Sequence, residues 1–130
     1  FIFNYDQDSN VRKITKSIEI VYGLRNFIGN ANKFSKNTVY INLKSDSEIT
    51  EVIIEDDGNG YPRDVLSKIG EPYLRTNYPQ ENSQTGLGLG LFIGKTLLEK
   101  NFASIDCRNS KTRSGAEVIV RWNNSDLFNI

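Results

Sequence analysis

The chain has 130 residues, of which 38% are hydrophobic and 25% are charged, and these values fit one ordinary globular domain. Its 16 basic and 16 acidic residues cancel, which argues against a strong field that would favour nucleic acid or an anionic membrane. No apolar run approaches the ~20 residues that span a bilayer, so the composition also argues against a membrane-spanning class.

The counts of three residue types carry further information. The single cysteine, Cys107, has no internal disulfide partner, which favours a reducing compartment. The absence of Met predicts that residues 1–130 are one domain cut from a longer protein. The absence of His removes histidine from every catalytic or metal-binding role in this chain.

The first half of the chain predicts an edge strand, a helix and two further strands. Residues 1–16 predict a leading segment, with a weakly alternating strand at Phe1 to Tyr5 and then a polar loop. From Ser17 to Ser35, apolar residues recur every three or four positions, which predicts a helix. Val39 to Lys44 alternates with period two, and Val52 to Ile54 forms the centre of the next strand.

The second half predicts two helices and a final hairpin. Pro62 to Ile69 predicts a short helix, because Pro fits a first helical position. Gly70 to Thr85 has few apolar residues and predicts a long irregular stretch, whereas Leu87 to Lys100 predicts a helix. Ala103 to Asn109 and Glu117 to Trp122 predict two strands. The predicted fold class is an α/β (α+β) two-layer sandwich, with a mixed, mostly antiparallel sheet and about three helices on one face.

An amide pair lies on the first predicted helix. Asn26 and Asn30 are four positions apart and therefore share one helix face. A carboxamide oxygen is a neutral ligand for Mg²⁺, which keeps most of its coordination positions for water and phosphate oxygens. Lys33 offers a point charge to a phosphate and Phe34 a flat ring. The alternative interpretation is an ordinary polar helix face, with Phe34 in the core.

Asp56 follows the second central strand, and Gly58 and Gly60 allow a tight turn beneath a flat ligand. A carboxylate accepts a hydrogen bond from the exocyclic amine of adenine, whereas guanine presents an oxygen there, so the turn favours ATP over GTP. Asp57 is the rival acid. The alternative is a plain surface turn, since Asp-Gly and Asn-Gly pairs are typical turn residues.

A glycine-rich segment opens the predicted helix at Leu87. Free N–H groups and the positive end of the helix dipole make such an entrance an anion site, and glycine lets the backbone approach phosphates closely. The pattern is neither a Walker A loop nor a dinucleotide-binding fingerprint. The segment consists of Gly86, Leu87, Gly88, Leu89 and Gly90.

The amide pair, the acid in the glycine turn and the glycine-rich segment follow one another in this order between about Ile18 and Trp122. Together these three motifs resemble the N, G1 and G2 boxes of the Bergerat-type (GHKL) ATP-binding domain of gyrase, Hsp90, MutL and sensor histidine kinases. The resemblance implies the Bergerat ATP-binding fold with ATP and Mg²⁺ as cofactors. It puts the metal ligand at Asn30 and a phosphate-side contact at Asn26, and its D-x-G-x-G spacing selects Asp56 over Asp57.

Asn26 also separates subclasses of this family. The ATP-hydrolysing relatives carry a glutamate at this place to activate water, and an amide cannot accept that proton. The pattern N-x-x-x-N-A-x-K resembles histidine kinases instead, which implies a protein histidine kinase. Arg75 matches the arginine that touches the γ-phosphate or assists its transfer, so the resemblance gives Asn26 and Arg75 catalytic roles; ordinary lid surface is the alternative for Arg75.

The stretch Gly70-Glu71-Pro72-Tyr73 and the run from Gly86 to Glu99 resemble the redox-responsive Reg/Prr group of bacterial sensor kinases. The resemblance places an ATP lid at about residues 72–87 and Tyr73 at the nucleotide. Ala116 stands where the family often has a threonine that assists the adenine contact, and Phe102-Ala103 lacks a usual Gly-Gly. Cys107, in a predicted strand, is interpreted as a buried inert thiol.

The resemblance implies that the domain binds Mg²⁺–ATP and transfers the γ-phosphate to a histidine on the dimerisation domain of a homodimeric parent, which then serves a cognate response regulator. It implies a cytoplasmic domain of an inner-membrane sensor, with no nucleic-acid or membrane contact of its own. Two alternatives stay open: a serine kinase of the anti-sigma-factor type, and a degenerate ATP-sensing module without transfer activity.

Overall fold

The structure, a computed structural model, describes residues 1–5, 17–67 and 85–127. Five strands form one sheet in the spatial order β1-β2-β3-β5-β4. The strands are β1 (Ile2–Tyr5), β2 (Val39–Ser45), β3 (Ile49–Asp56), β4 (Ser104–Asn109) and β5 (Ala116–Asn123). The helices are α1 (Ile18–Phe34), α2 (Arg63–Leu66), α3 (Thr85–Lys100) and α4 (Asn124–Leu127).

The sheet is mixed and carries its core on one face. β1 pairs with β2 in parallel, and the remaining neighbours are antiparallel. The register places Ile41 beside Ile54 and Ile54 beside Val118, and since side chains alternate between faces, these residues point to the same side. α1 and α3 pack together on that side, where Leu91 and Leu98 are fully buried. The core therefore lies between one helix pair and one sheet face.

The sequence of α1 explains its start and its orientation. Ser17 is the N-cap, and its hydroxyl oxygen accepts a hydrogen bond from the Ile20 N–H over 3.3 Å. Residues at helical spacing are then buried along one stripe, which turns this side of the helix to the sheet. The buried residues of this stripe are Ile20, Gly23, Phe27 and Ala31.

Two glycines allow α1 and α3 to approach closely. A Cβ at Gly23 would lie 2.6 Å from Leu98 Cγ, and a Cβ at Gly94 would lie 3.0 Å from Phe27 Cε2. Glycine inside a helix costs about 1 kcal/mol relative to alanine, so both positions need a packing reason. Each glycine gives space to one large side chain of the facing helix.

The predicted fold class is confirmed, and β1 lies at the sheet edge as predicted. Apart from shifts of one residue at the ends of several elements, three features differ from the prediction. Pro62 flanks α2 with extended backbone instead of starting it, α3 begins at Thr85, before the predicted start, and α4 was not predicted. Residues 6–16 and 68–84, which hold the predicted leading loop and most of the lid, lie outside the described residues. Among the helices that are described, none has the length and apolarity to cross a bilayer.

Candidate functional site

A cleft of about 440 Å³, including its open mouth, lies between α1 and the end of the sheet. One wall comes from a single face of α1, because its residues recur at helical spacing. The opposite wall comes from β3, β5 and the turn after β3. The lining residues are Phe27, Asn30, Ala31, Phe34, Ile54, Asp56, Gly60, Tyr61, Ala116 and Val118.

Asp56 supplies a buried carboxylate to this cleft at the end of β3, with 3% of its surface exposed. Its Oδ1 accepts hydrogen bonds from the Gly58 N–H over 2.8 Å and from the Ala116 N–H over 3.3 Å. Burial raises the pKa of Asp56, against the opposing effect of these two bonds. Among the described residues no donor reaches Oδ2, so this oxygen can accept a hydrogen bond from a ligand.

Asp57 has a different environment from its neighbour. Its carboxylate accepts hydrogen bonds from the backbone N–H groups of Lys36, Asn37 and Thr38, at distances of 2.9 to 3.3 Å. These bonds, with the one from Asn37 first, lower the pKa of Asp57. Asp57 therefore ties the connection between α1 and β2 to the end of β3, and it does not line the cleft.

Close backbone approaches hold Asp56 in place. A Cβ at Gly58 would lie 2.1 Å from the Phe34 carbonyl oxygen, and a Cβ at Gly115 would lie 2.1 Å from the Asp56 carbonyl oxygen. Such distances admit no side chain, so glycine is required at both positions. The glycine turn thus fixes the acid between α1 and β5.

Asn30 is the polar group on the α1 wall. Its Nδ2 is buried and has no hydrogen-bond acceptor among the described residues, and a Cβ at Gly90 would lie 3.0 Å from it. A polar atom without a partner in a cleft wall fits an external ligand, since an unsatisfied buried donor is costly. The oxygen and nitrogen of such an amide can exchange places by a flip, so Asn30 can equally present its oxygen.

The Asn30 side chain is also suited to hold a magnesium ion. Within residues 1–5, 17–67 and 85–127, no group of three or more His, Cys, Asp or Glu side chains could hold a metal ion. A cation held at Asn30 would therefore take its remaining ligands from phosphate and water oxygens, the arrangement that Mg²⁺ prefers.

The structure brings Asn30, Phe34, Asp56, Gly60 and Gly90 together at the cleft. Other predicted site residues are placed elsewhere. Asn26 Nδ2 donates to the Tyr22 carbonyl oxygen over 2.8 Å, and the Lys33 amine lies 5.4 Å from the centre of the Phe34 ring. Gly86, Leu87, Gly88 and Leu89 lie in the first turns of α3, while Tyr73 and Arg75 lie outside the described residues.

Five lining residues were not predicted from the sequence, whereas Ala116 was noted at the place of the family's adenine-contacting threonine. Helical spacing around Asn30 could have identified Phe27 and Ala31, and strand alternation from Asp56 could have identified Ile54. Val118 needs the register between β3 and β5, which no local pattern supplies. Tyr61, the fifth, enters from the turn after β3, and Ala116 lines the cleft from the start of β5.

Cys107 lies on β4, where it is half-buried against the core and thus less buried than predicted. Burial raises the pKa of its thiol to about 12, so the thiol stays protonated at neutral pH. This agrees with the interpretation of an inert thiol.

Residues 15–125 match the family described as "Histidine kinase-, DNA gyrase B-, and HSP90-like ATPase". The sensor histidine kinase RegB of Cereibacter sphaeroides is 36% identical over 124 residues, covering 84% of this chain and 27% of RegB. The sensor protein kinase PilS of Pseudomonas aeruginosa is 33% identical over 99 residues, covering 71% of this chain and 18% of PilS. The chain thus spans about a quarter of RegB and less of PilS.

Solved structures share the fold. The catalytic domain of histidine kinase ThkA superposes with a TM-score of 0.71 at 19% identity, covering 94% of this chain and 79% of that one. Full-length ShkA, solved in complex with AMPPNP, superposes with a TM-score of 0.64 at 22% identity, covering 93% of this chain and 25% of that one. These findings confirm the resemblance inferred from the three motifs, including that to RegB, and the chain belongs to the family of histidine kinase-, DNA gyrase B- and HSP90-like ATPases.

Proposed function

We propose that residues 1–130 form the catalytic ATP-binding domain of a two-component sensor histidine kinase. The domain holds Mg²⁺–ATP and presents the γ-phosphate to a histidine on the dimerisation domain of a homodimeric parent, which then serves a response regulator. The observation that carries the proposal is the buried Asp56 carboxylate, with an oxygen left for a ligand, in a cleft that Asn30 and Phe34 also line.

The cleft residues divide the recognition of the nucleotide between them. Asp56 accepts a hydrogen bond from the exocyclic amine of adenine, and the Phe34 ring packs against the flat base. Asn30 contributes the amide that holds the cation, and the first turns of α3 offer free N–H groups to phosphate oxygens. When bound, Mg²⁺–ATP supplies the transferable phosphoryl group and the cation that offsets its charge.

The residues of this chain favour transfer of the γ-phosphate over ATP hydrolysis. An amide at Asn26 cannot act as the base that activates water, and the chain contains no histidine that could accept a phosphate. The acceptor must therefore lie on another segment or another molecule. RegB and PilS are named as sensor kinases, which supports this assignment.

Radioactive ATP provides the direct test. Incubated alone with Mg²⁺–ATP, the chain should gain no acid-labile phosphate and should turn over little ATP. Mixed with the dimerisation domain of its parent, it should label the histidine of that domain slowly, because the effective concentration of a covalent link is missing. Asn26→Ala should slow this transfer more than it weakens ATP binding.

The alternatives give different results in the same assay. Acid-stable phosphate on a serine of a partner would favour a kinase of the anti-sigma-factor type. ATP binding without transfer to any acceptor domain would favour a sensing module. Rapid steady-state hydrolysis by the chain alone would contradict the kinase assignment and favour the hydrolysing branch of the family.

A further inference from the structure

Asn109, the last residue of β4, is joined to the backbone of Tyr61 by two hydrogen bonds. The Tyr61 N–H donates to Asn109 Oδ1 over 2.7 Å, and Asn109 Nδ2 donates to the Tyr61 carbonyl oxygen over 3.1 Å. One side chain thus satisfies both backbone groups of a residue that lies outside any helix or strand. Tyr61 lines the cleft, so the contact acts on the site although Asn109 itself does not line it.

Gly60, the residue before Tyr61, packs tightly against the same amide. Its φ of +78° lies in the left-handed region, and a Cβ there would lie 2.7 Å from Asn109 Oδ1. Both the backbone conformation and the packing therefore require glycine. Asn109 occupies the space that any side chain at position 60 would need.

The hairpin that carries Asn109 also contacts the rest of the glycine turn. Asn109 pairs with Ala116, whose N–H donates to the Asp56 carboxylate over 3.3 Å. The Ser114 hydroxyl donates to the Gly58 carbonyl oxygen over 3.3 Å. The β4–β5 hairpin is thus connected to the acid, to the middle of the turn and, through Asn109, to its end.

We infer that Asn109 is a positioning residue for the nucleotide: it sets the backbone of Gly60 and Tyr61, one wall of the cleft, relative to Asp56. The inference rests on the proposed ATP-binding function. The chemistry selects asparagine, because the Tyr61 backbone needs one acceptor and one donor within short reach. An aspartate side chain at this position would keep the acceptor but set a carboxylate oxygen against the Tyr61 carbonyl oxygen in place of the donor, whereas Asn109→Ala removes both bonds.

The test compares both variants with Asp46→Ala, a control at the other end of β3. Asp46 Oδ1 accepts hydrogen bonds from the Glu48 and Ile49 N–H groups over 2.8 Å, so its loss also removes two backbone bonds but leaves the cleft untouched. Thermal melts establish that each variant is folded. Calorimetry then gives the ATP affinity, and NMR hydrogen exchange of the nucleotide-free chain reports on the Tyr61 amide.

We expect Asn109→Ala to bind ATP about tenfold more weakly, as for the loss of one or two ordinary hydrogen bonds. Asn109→Asp should lose about threefold or more, since it replaces one bond by the repulsion of two oxygens, and Asp46→Ala should bind like the wild type. The Tyr61 amide should exchange faster in Asn109→Ala and keep its wild-type rate in Asp46→Ala. If Asn109→Ala does not fold, Asn109→Asp carries the comparison.

Wild-type ATP affinity in folded Asn109→Ala would overturn the inference, and so would an equal loss in Asp46→Ala, which would indicate general destabilisation. An unchanged Tyr61 exchange rate in Asn109→Ala would overturn it whatever the ligand. If the wild type binds no ATP but Tyr61 exchange responds as expected, the proposed function fails and the role of Asn109 in holding this wall is supported.

Discussion

Replacing Asp56 by Asn changes one atom in the cleft and should move affinity and stability in opposite directions. Oδ1 of Asp56 is taken by the Gly58 and Ala116 N–H groups. The new carboxamide can keep those bonds, but it puts an NH₂ donor where Oδ2 would accept the amine of adenine. Losing a hydrogen bond to a charged group costs about 1.5–3 kcal/mol, so ATP should bind about 10- to 150-fold more weakly.

The stability of the free chain should rise with the same substitution. Burial raises the pKa of Asp56, which means that folding penalises the charged carboxylate. A neutral Asn at this position escapes the penalty, so the free energy of unfolding at pH 7 should increase. Affinity and stability thus change independently, which a general loss of structure could not produce.

Asp57→Asn is the matched control, because it makes the same chemical change one residue away. Hydrogen bonds from three backbone N–H groups, with Asn37 first, lower the pKa of Asp57, so its charge stabilises the fold at pH 7. The variant should unfold more easily and keep its ATP affinity. Calorimetry with ATP and with GTP measures the nucleotide affinities of both variants, and urea unfolding measures their stabilities. Normal ATP affinity in Asp56→Asn, or a loss confined to Asp57→Asn, would refute the reasoning.

Three further outcomes are expected. Asn30→Ala should abolish the tightening of ATP binding by Mg²⁺, measured by calorimetry with and without the cation; continued tightening would exclude Asn30 as a ligand. Because the pKa of Asp56 is raised, its contribution to stability falls as pH rises through the window above 3.8, whereas the ratio of wild-type to Asp56→Asn ATP affinity, measured by calorimetry, should rise through that window. Phe102 has a φ of +71° and an exposed ring, so Phe102→Gly should raise the free energy of unfolding by about 0.5–1 kcal/mol over Phe102→Ala in urea titrations; equal values would show that the backbone is not strained.

Local patterns predicted most of the fold and the central part of the site. Helical spacing and strand alternation located α1, β2 and β3, because each element turns one apolar face to the same core. The positions of Asn30, Phe34 and Asp56 followed from those elements together with the family resemblance. Site residues that lie on or next to these elements in the sequence could therefore be predicted.

Features that depend on pairing between segments far apart in the sequence could not be predicted from local patterns. Asn109 reaches Tyr61, and Val118 reaches Ile54, only through the antiparallel register of the last three strands of the sheet. The start of α3 was predicted two residues late, because the glycine-rich stretch has low helix propensity and gives no local signal of where the helix begins. α4 depends on Asn124, which is buried and accepts a hydrogen bond from the Thr50 hydroxyl.

Gly23 and Gly94 lie outside the cleft, yet they fix the position of α1, which forms one of its walls. Each lets a side chain of the facing helix come so near that the axes of α1 and α3 have a fixed separation. Asn30 and Gly90 lie on the same two helices, and Asn30 is about two turns beyond Gly23. An alanine at either glycine would press against the facing side chain and displace α1, so the cleft would change shape with every lining residue intact. Nucleotide affinity in this domain is therefore open to change through a remote helix contact as well as through the residues that meet the ligand.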